Sequence, residues 1–183
     1  ADDDLDAWLR LTLLPGVGGE SQRQLLNRFG LPAAIFTADR QTLRTVIGEN
    51  AADLVLGHDC RAPVATALAW AQQPGNHILT LADADYPQAL LASADPPVLL
   101  YAKGNVAQLN QPAFAIVGSR HATTQGEANA RAFAAALAGA GFAVVSGLAL
   151  GIDAAAHRGA LEAGGGTVAV IGTGLDRIYP ARN

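Results

Sequence analysis

The sequence contains no methionine and a single cysteine, and each of these facts excludes some kinds of protein. One thiol, at Cys60, cannot form an internal disulfide framework and cannot supply the ligands of a cysteine-based zinc site. A chain without disulfides is typical of a reducing compartment, so we expect a cytoplasmic location. Because methionine is missing even from the first position, we expect a processed or partial product.

Long apolar runs are also missing, and charge is sparse. No run reaches the ~18–20 residues that span a bilayer. The acidic start of the chain lacks the basic region of a signal peptide, so we expect no membrane association. Charged residues make up 15% of the chain and aromatic residues 5%, with a formal net charge of −4, so the whole chain has no basic footprint. A local positive rim remains open, because five arginines lie on or near the glycine loops and helices of the second half: Arg120, Arg131, Arg158, Arg177 and Arg182.

Three short apolar runs, at residues 114–117, 143–145 and 168–171, are rich in β-branched residues and end on small residues or glycine. Two alanine-rich segments of helical length, residues 125–140 and 152–163, separate them. Strand, glycine turn and helix in repetition predict an α/β fold with a parallel sheet covered on both faces. The connections are expected to be right-handed helical crossovers.

The first part of the chain, residues 1–73, is predicted to be all helical. Residues 14–18 join two helices by a glycine-containing hairpin that resembles a helix-hairpin-helix motif, and residues 43–54 repeat it weakly. Such glycines let the backbone approach a phosphate. The alternative is a tight turn in a packing or dimerisation module. The charge of residues 1–76, with 6 Arg against 9 acidic residues, favours that alternative.

A Pro-Gly pair at residues 74–75 marks the predicted boundary, so the second domain is predicted to cover residues 77–183. Residues 77–81 and 98–101 are predicted strands that extend the same sheet. In open parallel sheets, ligands bind beyond the carboxyl ends of the strands. All three glycine loops follow such ends, so we expect the functional site on that rim.

The first of these loops begins Gly118-Ser119-Arg120. It lacks the G-x-G-x-x-G spacing of a dinucleotide fingerprint and the G-K-[ST] ending of a P-loop. Ser119 offers a hydroxyl donor, and Arg120 offers a planar fork that suits phosphate oxygens. The alternative is a surface arginine without a ligand.

The second loop contains Ser146, Gly147 and Gly151, and Gly151 can open the next helix with free N–H groups. Asp153 is expected to cap that helix. His157 lies four residues later on the same helical face. The pair could do acid–base chemistry, but a structural role is favoured, and neither a catalytic residue nor a metal site is predicted.

The third loop carries Gly172, Thr173 and Gly174, whose spacing is typical of a phosphate-binding nest. Asp176 is a candidate turn residue. Tyr179 could stack on a base or simply pack.

The motifs on these loops resemble the signature of the DprA/Smf family. The match runs through residues 77–183, and residues 1–73 resemble more loosely the family's helical, SAM-like N-terminal domain. The resemblance is carried by Val117-Gly-Ser-Arg120, Ser146-Gly-Leu-Ala-Leu-Gly-Ile-Asp-Ala-Ala-Ala-His157, Val170-Ile-Gly-Thr-Gly-Leu-Asp176, Tyr179-Pro180, Leu79-Thr-Leu81, Tyr86-Pro87, Asp95-Pro-Pro97, Leu100-Tyr101 and Lys103-Gly104.

The resemblance implies an extended Rossmann-like, doubly wound, mostly parallel sheet. It implies a non-enzymatic protein of natural transformation that binds and protects single-stranded DNA, loads RecA, forms a homodimer and needs no cofactor. The implied DNA-binding pocket is lined by Gly118, Ser119 and Arg120, and it is bordered by residues 146–151 and 172–174. Members of the family continue beyond the position of Asn183 with further strands and often a winged-helix domain.

Two enzyme classes compete with this interpretation. A phosphoribohydrolase of the lysine-decarboxylase-like class would need a Pro-Gly-Gly-x-Gly-Thr type of loop. Residues 164–167 come closest, but they precede a strand and are more simply a turn after a helix end. An NAD-linked oxidoreductase would need the dinucleotide fingerprint and an acidic residue where Ser146 stands.

Overall fold

The structure is a computed structural model, and it describes residues 2–175. The chain divides into two compact units, Ala1–Gly104 and Asn105–Asn183. The residues predicted to turn at Asp176 and to stack at Tyr179 lie outside the described residues. No helix of the described part is long and apolar enough to span a bilayer.

Most of the first unit is helical, which confirms the predicted helical portion. Its core is built from side chains that are fully buried at helical spacing, among them Leu9, Leu25 and Leu43. The Asp39 carboxylate accepts the Thr42 N–H at 2.9 Å and fixes the start of one helix. Residues 2–71 form six helices: α1 (Asp2–Thr12), α2 (Gly19–Phe29), α3 (Pro32–Phe36), α4 (Arg40–Ile47), α5 (Glu49–Gly57) and α6 (Arg61–Ala71).

A two-stranded antiparallel sheet completes this unit, with the short helix α7 (Gln88–Leu91) between its strands β1 (Asn76–Thr80) and β2 (Leu99–Lys103). Ile78 and Leu99 pack against the same apolar cluster as the helices. The prediction that these strands extend the parallel sheet is therefore wrong. The composition of a strand does not specify which strand it pairs with. Antiparallel pairing needs no crossover helix, so β1 and β2 can pair with each other directly.

The division between the two units consequently falls after Gly104, about thirty residues beyond the predicted boundary at residues 74–75. The physical reason is that β1 and β2 bury their apolar side chains in the helical core. The assignment of residues 1–73 and 77–183 as the two domains stays a prediction.

The second unit contains the parallel sheet, and this part of the fold prediction is confirmed. The strands lie in the order β3–β4–β5, with Phe114 beside Val144 and Val145 beside Val168. The elements follow in this sequence: a 3₁₀ helix (Val106–Asn110), β3 (Ala113–Ala115), α8 (Thr124–Gly139), β4 (Ala143–Ser146), α9 (Ile152–Glu162) and β5 (Thr167–Ala169).

Helices α8 and α9 pack closely together over one face of this sheet. Ala134 and Ala156 are fully buried in the cluster that α8 and α9 form with Val144 of β4. A Cβ atom added at Gly159 would overlap the carbonyl oxygen of Arg131, so glycine sets the distance of closest approach.

The opposite face of the sheet differs from the expectation of two covered faces. Val117 is 71% exposed and Val170 64% exposed. Two successive right-handed crossovers along one strand order place both helices on the same side, so within residues 105–175 helices cover one face.

Candidate nucleic-acid interface

The three glycine loops begin side by side at one edge of the parallel sheet. Pairing continues past the strand ends, since the Ile116 N–H donates to Val145 O at 3.0 Å. On the other side, the Val170 N–H donates to Ser146 O at 2.9 Å. The loops at residues 118–126, 146–151 and 172–174 therefore start from adjacent strands. We call their common surface the loop rim.

The first loop lies open on this rim. Gly118, Ser119 and Arg120 are exposed. The Ser119 hydroxyl oxygen accepts the His121 N–H at 3.1 Å, which leaves its own hydrogen free to donate. Among the residues that the structure describes, no acidic side chain pairs with the Arg120 guanidinium. An unpaired, exposed guanidinium is ready to bind an anion.

The second loop is a support for the rim more than a part of its surface. Ser146 is 3% exposed, and its hydroxyl donates to Ile116 O at 2.6 Å. That bond ties the end of β4 to the end of β3. Gly147 and Gly151 are partly buried. Sequence reasoning placed Ser146 among the binding residues, whereas the structure places its hydroxyl inside.

Asp153 links the first two loops. Its side chain is 6% exposed. One carboxylate oxygen accepts the Gly118 N–H at 3.3 Å, and the other accepts the N–H groups of Gly147 at 3.2 Å and Ala149 at 3.4 Å. The expectation that Asp153 caps α9 is wrong, because the cap position is Gly151 and no side chain caps it. Asp153 instead binds the loops that precede the helix.

The first N–H groups of α9 also have partners within the protein. Ile152 N–H donates to Ser119 O at 3.2 Å, and Ala154 N–H donates to Ala149 O at 3.1 Å. The Ile152 bond joins the first loop to the start of α9, and the Ala154 bond joins the second loop to the same helix. Neither donor is free for a ligand, although the sequence suggested that both would be. The Ile152 side chain leaves no room for a Cβ at Gly118, since that atom would lie 2.7 Å from Ile152 Cγ1.

His157 is a residue of α9 itself and is buried, with 6% of its surface exposed. The Thr167 hydroxyl donates to Val144 O at 2.8 Å, so its oxygen must accept from His157 Nδ1 at 2.7 Å. The proton of the neutral ring is therefore on Nδ1. Nε2 has no hydrogen-bond partner among the described residues. Burial lowers the pKa of His157, and the charge of Asp153 opposes that shift.

The buried imidazole makes a pH prediction. Since the folded pKa lies below the ordinary value of 6.5, the unfolded chain takes up the proton at a higher pH than the folded chain does. The stability that His157 contributes is complete above pH 6.5 and is lost as the pH falls through the lowered pKa. We expect the urea midpoint, followed by circular dichroism, to fall between about pH 7.5 and pH 5.5.

His157→Asn keeps a donor for Thr167 and removes the titration, so its midpoint should vary less over that range. His58→Asn, at an exposed position, is the matched control and should retain the wild-type dependence. An equal pH dependence in the wild type and the His157 variant would refute the assignment.

The third loop is exposed throughout, at Gly172, Thr173 and Gly174. A Cβ added at Gly172 would meet no atom of the described residues within 4 Å. By contrast, residues 164–166 form a turn that ends α9, with Gly165 N–H donating to Ala160 O at 3.0 Å. This is the predicted helix-end turn and not a nucleotide loop.

The second unit has equal numbers of basic and acidic side chains, but several of them are paired or buried. Residues 105–175 contain three arginines and three acidic residues. Arg131 is paired with Glu162 through two bonds of 2.6 Å, and Asp153 is buried. Arg120 is therefore the basic side chain of the described rim. No cluster of three or more metal-ligating side chains is present within residues 2–175.

Sequence reasoning missed the role of Asp153, although the residue itself was singled out. Its partners Gly118 and Gly147 lie 35 and 6 residues away. The one available signal was an acidic residue two positions after the glycine that opens a helix.

Comparisons with known proteins identify the family of the chain. The sequence model described as DNA recombination-mediator protein A matches residues 77–183. The Smf protein of Escherichia coli is 33% identical over 184 residues, covering 98% of this chain and 47% of that protein. The DprA protein of Streptococcus pneumoniae is 47% identical over 104 residues, covering 57% of this chain and 36% of its own length.

A solved structure agrees with the fold. The crystal structure of DprA from Streptococcus pneumoniae superposes with a TM-score of 0.79 at 31% identity, covering 95% of this chain and 59% of that chain. The chain spans about half the length of the curated relatives that it matches along its whole length. Because the family model covers more than half of the chain, the chain belongs to the DNA recombination-mediator protein A family, as the DprA/Smf motifs on its loops indicated.

Proposed function

We propose that the loop rim is the single-stranded DNA-binding surface of a recombination mediator. The observation that carries this proposal is the exposed Arg120, which pairs with no acidic side chain of residues 2–175, on a rim whose first two loops are tied together by Asp153. An anionic backbone can lie across such a surface without entering a cavity. Family membership supports the same function, because relatives of this family are DNA processing proteins.

The dimensions of the rim suit a strand. Neighbouring strands of a sheet lie ~4.8 Å apart, so the outer two of three adjacent loops are about 10 Å apart. One nucleotide of a stacked strand rises ~3.4 Å. A chain of nucleotides can therefore contact more than one loop at once.

The residues of the rim divide into two roles. Ser119, Arg120 and the exposed third loop, with Gly172, Thr173 and Gly174, contact the sugar–phosphate backbone. Gly118, Ser146, Gly147 and Gly151 shape the loops that present these contacts. Phosphate contacts carry no base information, so binding is expected to be independent of sequence.

Arg120→Ala tests the proposal. Loss of one charge-assisted contact is expected to weaken oligo-dT binding by about tenfold, equivalent to about 1.4 kcal/mol. The loss should be similar for all single strands. The slope of log affinity against log salt should fall by about 0.7, since one phosphate contact on a single strand disappears. Fluorescence anisotropy at several salt concentrations measures both quantities.

Arg158→Ala is the matched control. Arg158 is also exposed on this unit, but it lies seven residues along α9 from Gly151, about 10 Å down the helix axis. The control should bind oligo-dT as the wild type does. Equal affinity of the Arg120 variant and the wild type would remove the rim from the DNA-binding surface, and so would a preference for duplex over single strands.

The wider activity of the protein is part of the same proposal. We propose that it protects incoming single strands during natural transformation, loads RecA onto them, acts as a homodimer in the cytoplasm, and catalyses no reaction. The helical unit serves as the SAM-like domain of such a protein. Co-sedimentation of RecA with DNA-bound protein, and light scattering for the dimer, test these points separately from the rim.

A further inference from the structure

The N–H groups beneath the loop rim already bind an anion, which is the side-chain carboxylate of Asp153. The N–H groups of Gly118, Gly147 and Ala149 all donate to the buried carboxylate of Asp153, at 3.2–3.4 Å. Leu148, between two of these donors, has a φ of 59°, a left-handed conformation that a branched side chain rarely adopts. A left-handed residue that turns the flanking N–H groups toward one oxygen is the geometry of an anion-binding nest.

Glycine is required for the approach of this carboxylate. A Cβ atom at Gly147 would lie 2.9 Å from Asp153 Oδ2, so any other residue would displace it. The nest stands where the second strand ends and α9 begins. In open α/β sheets this junction is the place where backbone N–H groups hold the phosphate of a nucleotide. The Asp153 carboxylate therefore occupies a phosphate position.

We propose that Asp153 is a specificity-determining residue that fills this nest and so excludes free phosphate and mononucleotides from the rim. A second anion finds the donors occupied and a negative charge beneath them. The phosphates of a strand must then bind from outside, through the Arg120 guanidinium and the Ser119 hydroxyl. The choice of a strand as ligand rests on the proposed function, whereas the filled nest rests on the contacts of Asp153 alone.

Chemical rescue tests the filled nest without DNA. Asp153→Ala removes the anion and leaves the donors unpaired, so this variant should unfold at a lower temperature than the wild type. Formate, which fits the space left by the carboxylate, should raise its melting temperature by several degrees and saturate with concentration. Inorganic phosphate should act in the same direction. Sodium chloride at equal ionic strength should not, and formate should raise the melting temperature of the variant more than that of the wild type.

Two further variants serve as controls for the rescue experiment. Glu162→Ala removes an exposed carboxylate from the same helix and should show no anion-specific recovery. Asp153→Asn keeps the space filled, so formate should not stabilise it either. If Asp153→Ala is unfolded without salt, formate or phosphate should restore its circular dichroism. Absence of formate-specific recovery in both melting and folding would overturn the proposal, and so would equal recovery in the Asn variant.

A competition experiment addresses the ligand class. Thymidine monophosphate should fail to displace oligo-dT from the wild type. It should bind Asp153→Ala at least tenfold more tightly than it binds the wild type. Tight monophosphate binding by the wild type would overturn the exclusion of mononucleotides. Failure of oligo-dT binding alone would instead count against the proposed function, with the rescue result still standing.

Discussion

Gly159→Ala is expected to lower the free energy of unfolding of the second unit by about 3 kcal/mol or more. The added methyl group would overlap the carbonyl oxygen of Arg131 and lie 2.9 Å from its Cα and carbonyl carbon. Backbone atoms cannot rotate aside as a side chain can, so α8 and α9 would have to separate. Their shared alanine core would then lose its contacts.

The measurement must report on the second unit. Both tryptophans, Trp8 and Trp70, lie in the first unit, so fluorescence would follow the wrong part of the chain. Amide hydrogen exchange over α8 and α9 is the suitable probe. Gly139→Ala is the control, because a Cβ there meets no atom within 4 Å and alanine favours a helix, so its stability should not fall. Equal protection in the Gly159 variant and the wild type would disprove the close crossing.

Gly151→Ala is expected to be the most damaging change to the rim itself. Gly151 has a φ of 76° and a ψ of −124°, which an alanine reaches only with strain of about 1–3 kcal/mol. Its methyl group would overlap Ser119 O and lie 2.9 Å from Arg120 O. The first loop would be pushed from the start of α9. We expect a total loss of about 3–5 kcal/mol in stability and a fall in oligo-dT affinity larger than that of Arg120→Ala.

Gly164→Ala is the control that separates backbone strain from steric overlap in the Gly151 variant. Gly164 also has a positive φ, 71°, but a Cβ there meets no atom within 4 Å. Its variant should lose about 1–2 kcal/mol, the usual cost of a left-handed alanine, and should bind oligo-dT normally. Urea denaturation and anisotropy give both numbers. Similar losses in the two variants would mean that the contact with Ser119 contributes nothing.

The regular elements of the second unit were predictable because each is specified by neighbours in sequence. The helix predicted at residues 125–140 corresponds to α8 at Thr124–Gly139. The helix predicted at residues 152–163 corresponds to α9 at Ile152–Glu162. Alanine content and the glycines at the C-terminal ends of both helices carry that signal locally. The parallel order followed, since helical crossovers between strands leave few topologies.

Features that depend on distant partners were not predictable in the same way. Nothing in residues 76–80 or 99–103 states that they pair with each other in place of the parallel sheet. The bond from the Ser146 hydroxyl to Ile116 O likewise joins residues 30 positions apart. A serine after a strand has the same local sequence whether it faces a ligand or a neighbouring strand. The sequence alone therefore could not show that the Ser146 hydroxyl points inward.

The antiparallel pair of β1 and β2 also affects how this protein can be divided. The match to the family's sequence model begins at residue 77, yet the division between the two compact units falls after Gly104. A fragment cut at the similarity boundary would leave Ile78 and Leu99 without the helices that cover them, and would open the helical core on that side. Gene fusions and domain exchanges should therefore splice at residues 104–105, where each half keeps its own interior.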